Sequence, residues 1–559
     1  MSRRDNDATA AHTDMWNDSL SGDTLWSNVN FGEAVTDVMT PLTWSVIQFT
    51  LDDWVFLPGI PTVGVIGGRP YLNISVFATL FYGMGRSRQD LLSTMESTLY
   101  IRLPEDMPIP TMPVSRSTLL RGLFCALGVQ FKQRRGIQRA PACVDSSASW
   151  FRDIRTAIQS HETGSGLYSL WHAEMRPHIK NGVWCTLGSV THSAEYTLKL
   201  RRQLAERVGP QDADVLIAGL SGEDAPLESL GPVAGLDKLA RGEISRGAYL
   251  ENYGHRGPHE FELSVPRPAE DPSWLEQELE RLQRSPVNVE DRIASQRRSF
   301  EAAWKRLQAR SPAGAERFRR KIAESARRAR LREGVRSAYV RDRWAVRLFA
   351  LRAGELTGLG DRVFYLTLNE LLAFLVGDRS AEPAIASRME AYQQYRTLPP
   401  YPSVICGRFD PFAWAADPNR PSDIFDPQRT DAARADLDLI VGSPGSAGVV
   451  EGTVRVVDHP GAGDGLRQGE IMVAVQTDIA WTLLFPRAGG VVTDIGAPLS
   501  HAAIVARELG IPAVVGCGNA TAILKTGNRV RVDGGRGTVE ILATGNSKEM
   551  GPSYGHETF

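Results

Sequence analysis

The sequence lacks the features that mark membrane-spanning, exported or disulfide-stabilised proteins. No apolar run approaches the ~18–20 residues that cross a bilayer, and the polar N-terminus has no signal-peptide core. The five cysteines are scattered and form no C-x-x-C pair, so neither a disulfide framework nor a zinc cage is expected. The cytoplasm is therefore the expected compartment, without a membrane partner.

A large net charge is also absent. The chain has 63 Lys and Arg against 65 Asp and Glu, which excludes a uniformly basic or acidic protein but permits a local patch. Residues 291–350 hold 18 basic and 6 acidic residues. This segment is either a solvated helix pair or a source of positive electrostatic potential that attracts a phosphorylated group. A nucleic-acid partner is not predicted, because aromatic residues are not interleaved with the basic ones.

Length and patterning predict a multidomain protein. At roughly 150 residues per domain, 559 residues suggest three or four units, or two or three large ones. Helical periodicity dominates the first three quarters, and short Gly-bounded strands follow. We predict a large, mainly α-helical domain followed by a compact β/α domain. The predicted boundaries are a disordered leader (1–22), the helical domain (23–409), a Pro-rich linker (410–436), the β/α domain (437–544) and a disordered tail (545–559).

One histidine sits at a predicted helix start in the segment TDIGAPLSHAAIVARELGIPAVVG. Ser500 is the predicted N-cap and also a predicted substrate-binding residue, and a helix over about 501–508 would end before Gly510. In the first turn, unsatisfied N–H groups and the helix dipole disfavour an imidazolium and stabilise a phosphate. His501 therefore suits a covalent phosphoryl intermediate. The alternative is a histidine that only packs or hydrogen-bonds near a cap.

The C-terminal strings resemble the swivelling phosphohistidine domain of PEP-utilising enzymes. These strings are GSPGSAGVVEGTVRVV, GEIMVAVQTDIAWTLLFPRAGGVVTDIGAPLSHAAIVARELGIPAVVG and VRVDGGRGTVEIL. The family includes phosphoenolpyruvate synthase, pyruvate phosphate dikinase and rifampicin phosphotransferase. The resemblance implies that His501 is the phosphorylated residue. Ala497 departs from the pattern, since the family often has a second glycine there.

Five earlier strings resemble the acceptor-binding domain of rifampicin phosphotransferase-like enzymes. In order, they are LWSNVNFGEAVTDVMTPLTWSV, GGRPYLNIS, ENYGHRGPHEFEL, LREGVRSAYVRDRW and DRVFYLTLNELLAFL. The family's ATP-grasp domain and PEP-binding barrel have no counterpart here, and no Walker-type loop occurs. The resemblance thus implies a small-molecule hydroxyl acceptor, with ATP and Mg²⁺ bound by a separate ATP-grasp protein. Phenylphosphate synthase is a family precedent for such a division over subunits.

Candidate site residues lie first on one predicted helix. Arg332 and Arg336 are four residues apart and share a face that Arg328 extends, so a shared anion would relieve their repulsion. In the family's L-R-E-x-x-[KR] helix, which lies at the transfer site, the last position is more often Lys. Arg336 keeps the charge but cannot shuttle a proton. Glu333 could accept the proton of an acceptor hydroxyl. The alternative is a solvated helical row.

The turn YGHRGPHEFE presents a second group of candidates. His255 and Glu260 are the two candidates for a base, and Arg256 is the candidate for holding phosphate. The alternative is a turn that is only structural. His259 completes the turn, but no surrounding pattern supports a metal site, and no metal ligand is predicted.

Other candidates are weaker. Arg69 and Asn73 beside a glycine turn rank lower as substrate-binding residues. Trp44, Phe31 and the FYGMG stretch line either an apolar acceptor pocket or the core.

Three functions remain open from the sequence. The main hypothesis is a dikinase-type phosphotransferase component that carries a phosphoryl group on His501. The second is a related secondary-metabolism enzyme that phosphorylates a hydroxyl to activate it for elimination or condensation. The third is a non-catalytic binding protein built on a degenerate copy of the same fold.

Overall fold

The structure, a computed structural model, describes most of the chain. The described residues are 15–29, 31, 35, 37–96, 101, 103–218, 230–284, 289–421, 423–428, 439–498 and 500–544. Within these ranges, no helix is long and apolar enough to cross a membrane. The predicted tail and most of the predicted leader, residues 1–14, lie outside the described residues, as do residues 422 and 429–436 of the predicted linker and 437–438 of the predicted β/α domain.

Helices make up most of the chain up to residue 416, and shorter helices lie among the strands that follow. They are α1 (Pro41–Leu51), α2 (Ile74–Gly83), α3 (Arg88–Thr94), α4 (Arg116–Ser160), α5 (Gly164–Leu170), α6 (Arg176–Val208), α7 (Pro210–Ile217), α8 (Gly231–Ala240), α9 (Arg246–Tyr253), α10 (Pro272–Arg284), α11 (Val289–Arg310), α12 (Ala315–Thr357), α13 (Leu368–Leu375), α14 (Ile385–Arg396), α15 (Pro411–Ala416), α16 (His501–Glu508) and α17 (Ala520–Ile523).

The strands are shorter and form two sheets. They are β1 (Leu25–Ser27), β2 (Val63–Ile66), β3 (Arg69–Asn73), β4 (Val404–Cys406), β5 (Ile424–Phe425), β6 (Leu439–Val441), β7 (Ser443–Ser446), β8 (Val449–Val456), β9 (Ile471–Ala474), β10 (Gly490–Thr493), β11 (Ala513–Val515), β12 (Arg529–Asp533) and β13 (Thr538–Ala543). The predicted order, a large helical region followed by a β/α domain, is confirmed.

Three long helices, α4, α6 and α12, pack side by side and form the body of the helical region. Ser115 caps α4 by accepting a hydrogen bond from the Thr118 N–H at 3.1 Å. Helices α4 and α6 approach closely at Gly136, where a Cβ atom would lie 2.1 Å from the Trp184 carbonyl oxygen. The main core, around Trp171 and Phe349, fixes α12 as a rigid support for the arginines on it.

A five-stranded sheet in the order β2-β3-β1-β4-β5 closes this region. β1 pairs antiparallel with both β3 and β4, and Trp26 lies opposite Asn73 and Ile405. Because these strands come from residues 25–73 and 404–425, the sheet joins the beginning of the helical region to its end.

The structure differs from the predicted leader and linker. Of the leader, the Asn17 side chain donates to the Phe409 carbonyl at 2.8 Å. Of the linker, Asp410 caps α15, Trp414 packs in the core with Phe409, and β5 pairs with β4. The polar, proline-rich composition suggested an extended spacer. Buried aromatics at Trp16 and Trp414 instead anchor both segments.

The second sheet has eight strands in the order β6-β13-β12-β8-β9-β10-β11-β7. Its central strands β8 to β11 run parallel. Alternate residues enter different cores: Met472 and Val491 belong to one cluster, Val473 and Val492 to the other. A parallel sheet buried on both faces explains the near-continuous apolar strands of the sequence.

The β/α domain lies against the helical region. Val233 of α8 shares a core cluster with Trp481 and Leu484 of the β/α domain. Gln296 of α11 donates from Nε2 to the carbonyl oxygen of Arg507, at the end of α16, at 2.7 Å. Helix α16 therefore contacts the helical region.

Candidate functional site

His501 is the first residue of α16, as predicted. Ser500 caps this helix, and its Oγ accepts a hydrogen bond from the Ala503 N–H at 3.2 Å. The predicted cap is thus confirmed. With its Oγ engaged in this way, Ser500 positions the histidine through the backbone. The predicted part of Ser500 in binding substrate stays a prediction.

Two threonines flank the imidazole. Thr477 Oγ1 lies 3.2 Å from Nδ1 of His501, and Thr482 Oγ1 lies 3.3 Å from Nε2. The ring of Phe485 meets the imidazole edge-on, with 5.8 Å between the centroids. The His501 side chain is consequently held in one orientation by the loop that follows β9.

The electrostatics keep this ring neutral. Burial lowers the pKa of His501 to about 3, and the positive charges of Arg336 and Arg256 act in the same direction, while Glu260 opposes them. His501 is 6% exposed. A neutral imidazole retains a lone pair, which is the form that can attack phosphorus.

The groups that act on His501 form an arginine clamp, which we define as Arg256, Glu260 and Arg336. Glu260 accepts from Nε of Arg256 at 2.9 Å and from Nη2 of Arg336 at 3.2 Å. Burial alone would raise the pKa of Glu260, but the two arginines hold it below its usual value. Nη1 of Arg256 is buried without a hydrogen-bond partner among the described residues, so an anion could bind there.

His259 pairs with a carboxylate of the helical region. Its Nδ1 lies 2.6 Å from Asp37, and this hydrogen bond raises the pKa of His259. Burial raises the pKa of Asp478 to about 6, the charge of His259 opposes this rise, and that of Glu260 adds to it. Asp478 directly follows Thr477 in the chain, so the charges of the predicted turn act on the loop around His501.

The predicted base His255 lies one layer behind the clamp. It is 1% exposed, and its Nε2 lies 2.8 Å from the Ser337 hydroxyl. Burial lowers its pKa well below the ordinary value, and Arg341 and Arg256 lower it further. His255 is not among the groups whose charge acts on His501. Its predicted catalytic part stays a prediction.

The predicted arginine row does not gather around a single anion. Arg336 pairs with Glu260, Arg332 with Glu333 at 3.0 Å, and Arg328 with Glu324. The spacing of the arginines did not predict that each would pair with a separate carboxylate.

Arg332 and Glu333 are both buried. The charge of Arg332 acts on Arg507, at the far end of α16, and not on His501. Of the row, Arg336 alone belongs to the clamp, and the predicted catalytic parts of Arg332 and Glu333 stay predictions.

Arg69 packs outside the clamp. Its guanidinium lies 4.0 Å above the ring of Tyr401, and Nη2 donates to the Leu398 carbonyl at 3.4 Å. Its charge lowers the pKa of Asp37, the partner of His259. Arg69 therefore acts on the site through Asp37.

Two neighbouring cavities lie beside α1. One has a volume of about 320 Å³ and the other about 220 Å³, and Trp44 and Gln48 line both. Met39, two residues beyond Asp37, lines the smaller one. Phe31 packs in a separate core cluster, so of the predicted aromatic pocket it is Trp44 that borders a cavity.

The described part of the chain contains no group of three or more His, Cys, Asp or Glu side chains that could hold a metal ion. Its five cysteines are free thiols.

Sequence reasoning missed Thr477, Asp478, Thr482 and Asp37. The motif QTDIAWT did carry a signal, because polar residues there directly follow the apolar strand β9. The carboxyl ends of neighbouring parallel strands meet at one edge of a sheet, and β9 pairs parallel with β10, which leads to His501.

Comparison with known proteins finds two family models that match parts of this chain. Residues 466–537 match the family model of the PEP-utilising enzyme, mobile domain, and residues 179–336 match that of the rifampicin phosphotransferase fourth domain. The predicted resemblance to PEP-utilising enzymes is confirmed. His501 and Arg336 fall within the two matched ranges.

Curated relatives are longer than this chain. The prodigiosin synthesizing transferase PigC of Serratia marcescens is 34% identical over 306 residues, covering 53% of this chain and 33% of that protein. The rifampicin phosphotransferase of Streptomyces sviceus is 31% identical over 356 residues, covering 60% and 38%. That of Bacillus cereus is 36% identical over 182 residues, covering 33% and 19%. The chain thus spans less than half the length of these relatives.

Proposed function

We propose that this chain carries a phosphoryl group on His501 and transfers it to the hydroxyl of a small organic acceptor. The observation that carries the proposal is the juxtaposition of a neutral imidazole with Arg256 and Arg336. Nη1 of Arg256, buried without a partner among the described residues, supplies a donor for a phosphoryl oxygen. The name of the rifampicin phosphotransferases supports the same chemistry.

In the proposed step, the P–N bond at His501 breaks while a P–O bond to the acceptor oxygen forms. The hydroxyl proton leaves the acceptor oxygen and is taken up by the imidazole nitrogen that carried the phosphoryl group, so the ring departs neutral. Phosphoryl transfer depends mainly on positioning and charge neutralisation, so a strong base is not required. Glu260 holds the two arginines in place, while His255, Arg332 and Glu333 act as positioning residues.

The phosphoryl group would come from ATP on a separate ATP-grasp protein, which would also hold Mg²⁺. ATP, water and the His501 side chain would give a nucleoside monophosphate, phosphate and phosphohistidine, the balance of a dikinase. Because His501 is 6% exposed in the structure, the β/α domain would have to leave the helical region to be charged. We place this exchange in the cytoplasm, consistent with five free thiols.

A labelling experiment tests the proposal. The full chain is incubated with ATP labelled in the β-phosphate and with an ATP-grasp protein encoded nearby. Acid-labile label on His501 is expected in the natural chain and not in His501→Ala. Label retained by His501→Ala would overturn the proposal. Phenols and hydroxylated antibiotics are then added to identify the acceptor that removes the label.

The name of PigC favours a second candidate, in which phosphorylation activates the acceptor hydroxyl for condensation or elimination. An acceptor labelled with ¹⁸O in that hydroxyl distinguishes phosphorylation as the final step from phosphorylation as an activating step. Simple phosphorylation leaves ¹⁸O in a phosphorylated product, whereas activation releases it as inorganic phosphate when the C–O bond breaks. A chain that takes no phosphate from any ATP-grasp partner would instead favour the non-catalytic binding protein.

A further inference from the structure

One face of α4 exposes a line of large apolar side chains near the beginning of the helix. Four of them are each 57–65% exposed, namely Leu120, Phe124, Leu127 and Phe131. We call these four residues the α4 seam. Their spacing of four, three and four residues places them along one helix face, over a length of about 17 Å. The residues that face the bundle instead are buried, namely Gly122, Val129 and Gly136.

The α4 seam has the spacing of a coiled coil. In a heptad written a to g, Leu120 and Leu127 occupy position d, and Phe124 and Phe131 occupy position a. A stripe confined to a and d is the narrow apolar face that one further helix covers. A helix that lies on a membrane surface needs a broader apolar face. The spacing therefore favours a helical partner.

The charges that flank the α4 seam along the helix are all positive. Arg116 lies at position g, Arg121 and Arg135 lie at position e, and all three are exposed. The sequence between Met107 and Val144 contains no Asp or Glu. Because charges at e and g decide which helices pair in a coiled coil, these arginines select a partner helix with Glu or Asp beside its own seam.

A second copy of this chain does not supply those acidic residues. In a parallel pair, Arg116 at g would face Arg121 at e of the other copy. In an antiparallel pair the two e edges would meet, and each carries Arg121 and Arg135 with no acidic residue. Like charges placed opposite each other select against pairing, so the partner is a different protein.

We propose that the α4 seam docks an amphipathic helix of another protein, with apolar residues at a and d and acidic residues at e and g. The seam lies away from the arginine clamp. Val144 of α4 packs in one cluster with Val335, which precedes Arg336, and Phe124 lies 20 residues earlier, about 30 Å along the helix. The proposal therefore does not depend on the chemistry of His501.

The test measures binding of two fluorescent helical peptides to the full chain by fluorescence anisotropy. Both peptides have about three heptads with Leu at a and d. One carries Glu at e and g, and the other carries Lys. At low salt the acidic peptide is expected to bind about tenfold more tightly than the basic one. Added salt should reduce this difference, because it screens exposed charges.

Variants locate the binding on the seam. Phe124→Ser should weaken binding of the acidic peptide about tenfold. Val376→Ser is the matched control, since Val376 is 57% exposed at the end of α13, and it should bind as the natural chain does. The double variant Arg121→Glu, Arg135→Glu should prefer the basic peptide. Circular dichroism and thermal unfolding should be unchanged in all three, because the altered side chains are exposed.

Three results would overturn the proposal. The first is equal binding of the two peptides to the natural chain, or an equal loss of binding in Phe124→Ser and Val376→Ser. The second is sedimentation with phosphatidylserine vesicles that Phe124→Ser abolishes, which would identify a membrane surface. The third is a dimer that Phe124→Ser dissociates, which would identify a second copy. None of these measurements uses ATP, so failure of His501 to take phosphate would contradict the proposed function alone.

Discussion

Thr482 donates its hydroxyl hydrogen to the Ile479 carbonyl at 2.7 Å, and the same oxygen lies 3.3 Å from Nε2 of His501. A threonine hydroxyl has one hydrogen, so toward His501 this oxygen acts as an acceptor. The neutral ring then carries its proton on Nε2 and presents the Nδ1 lone pair to Thr477. Attack by Nε2 on phosphorus would require this proton to leave and the Thr482 contact to open.

This tautomer is directly measurable. ¹⁵N chemical shifts of labelled histidines should show His501 protonated at Nε2 at pH 7. Thr482→Val removes the acceptor and should shift the population toward the Nδ1–H form, while Thr482→Ser should preserve the natural pattern. An Nδ1–H tautomer in the natural chain would contradict the assignment.

Lowering the pH should reduce the stability of the folded protein, because protonation of His501 is unfavourable in its buried position. Its pKa in the structure, about 3, is below the ordinary 6.5, so the unfolded or undocked chain binds more protons. The contribution of the neutral, buried His501 to the free energy of unfolding is therefore complete above pH 6.5 and is lost as the pH falls toward 3. At pH 5 the loss is at most about 2 kcal/mol.

Thermal unfolding of the natural chain and of His501→Gln at pH 7 and pH 5 measures this loss. Because His255 titrates in the same direction, both chains should lose stability, and the natural chain should lose more. An equal loss would show that His501 does not contribute.

The arginine clamp should bind inorganic phosphate. Arg256→Lys replaces a planar fork with a single point charge, and we expect phosphate affinity, measured by calorimetry, to fall about tenfold. Arg328→Lys is the matched control, since Arg328 pairs with Glu324 away from the clamp. A similar loss in both variants would indicate non-specific attraction by the basic helix.

His255 should prove to be a positioning residue. A general base contributes about 10²–10⁴-fold to a rate, whereas His255→Gln, which can still reach Ser337, should slow phosphoryl transfer from His501 by less than about tenfold. The measurement is the single-turnover rate with the acceptor that the labelling experiment identifies. A hundredfold loss with normal charging of His501 would restore His255 as the base.

Local signals made part of the site predictable. The cap at Ser500 and the length of α16 follow from a few adjacent residues, so the sequence was sufficient for them. Arg336 could be placed on a helix for the same reason. Its neighbours in the row could not be assigned, because each arginine paired with a carboxylate whose position depends on the tertiary fold.

The remaining site residues required the tertiary arrangement. Thr477 reaches His501 only through the parallel pairing of β9 with β10, and the charge of His259 acts on Asp478 only when the two parts are docked. In the described part of the predicted linker, 410–421 and 423–428, buried Trp414 outweighs the nearby prolines, which the polar composition does not predict. Isolated aromatics in polar segments therefore deserve more weight than the average character of the segment.

The depth at which His501 lies when docked has a chemical consequence. A phosphorus–nitrogen bond is readily hydrolysed, and a side chain only 6% exposed leaves bulk water little room to compete with the acceptor. Under the proposed chemistry, few phosphoryl groups would be wasted as free phosphate, and the yield per ATP consumed would depend on how long the docked state lasts.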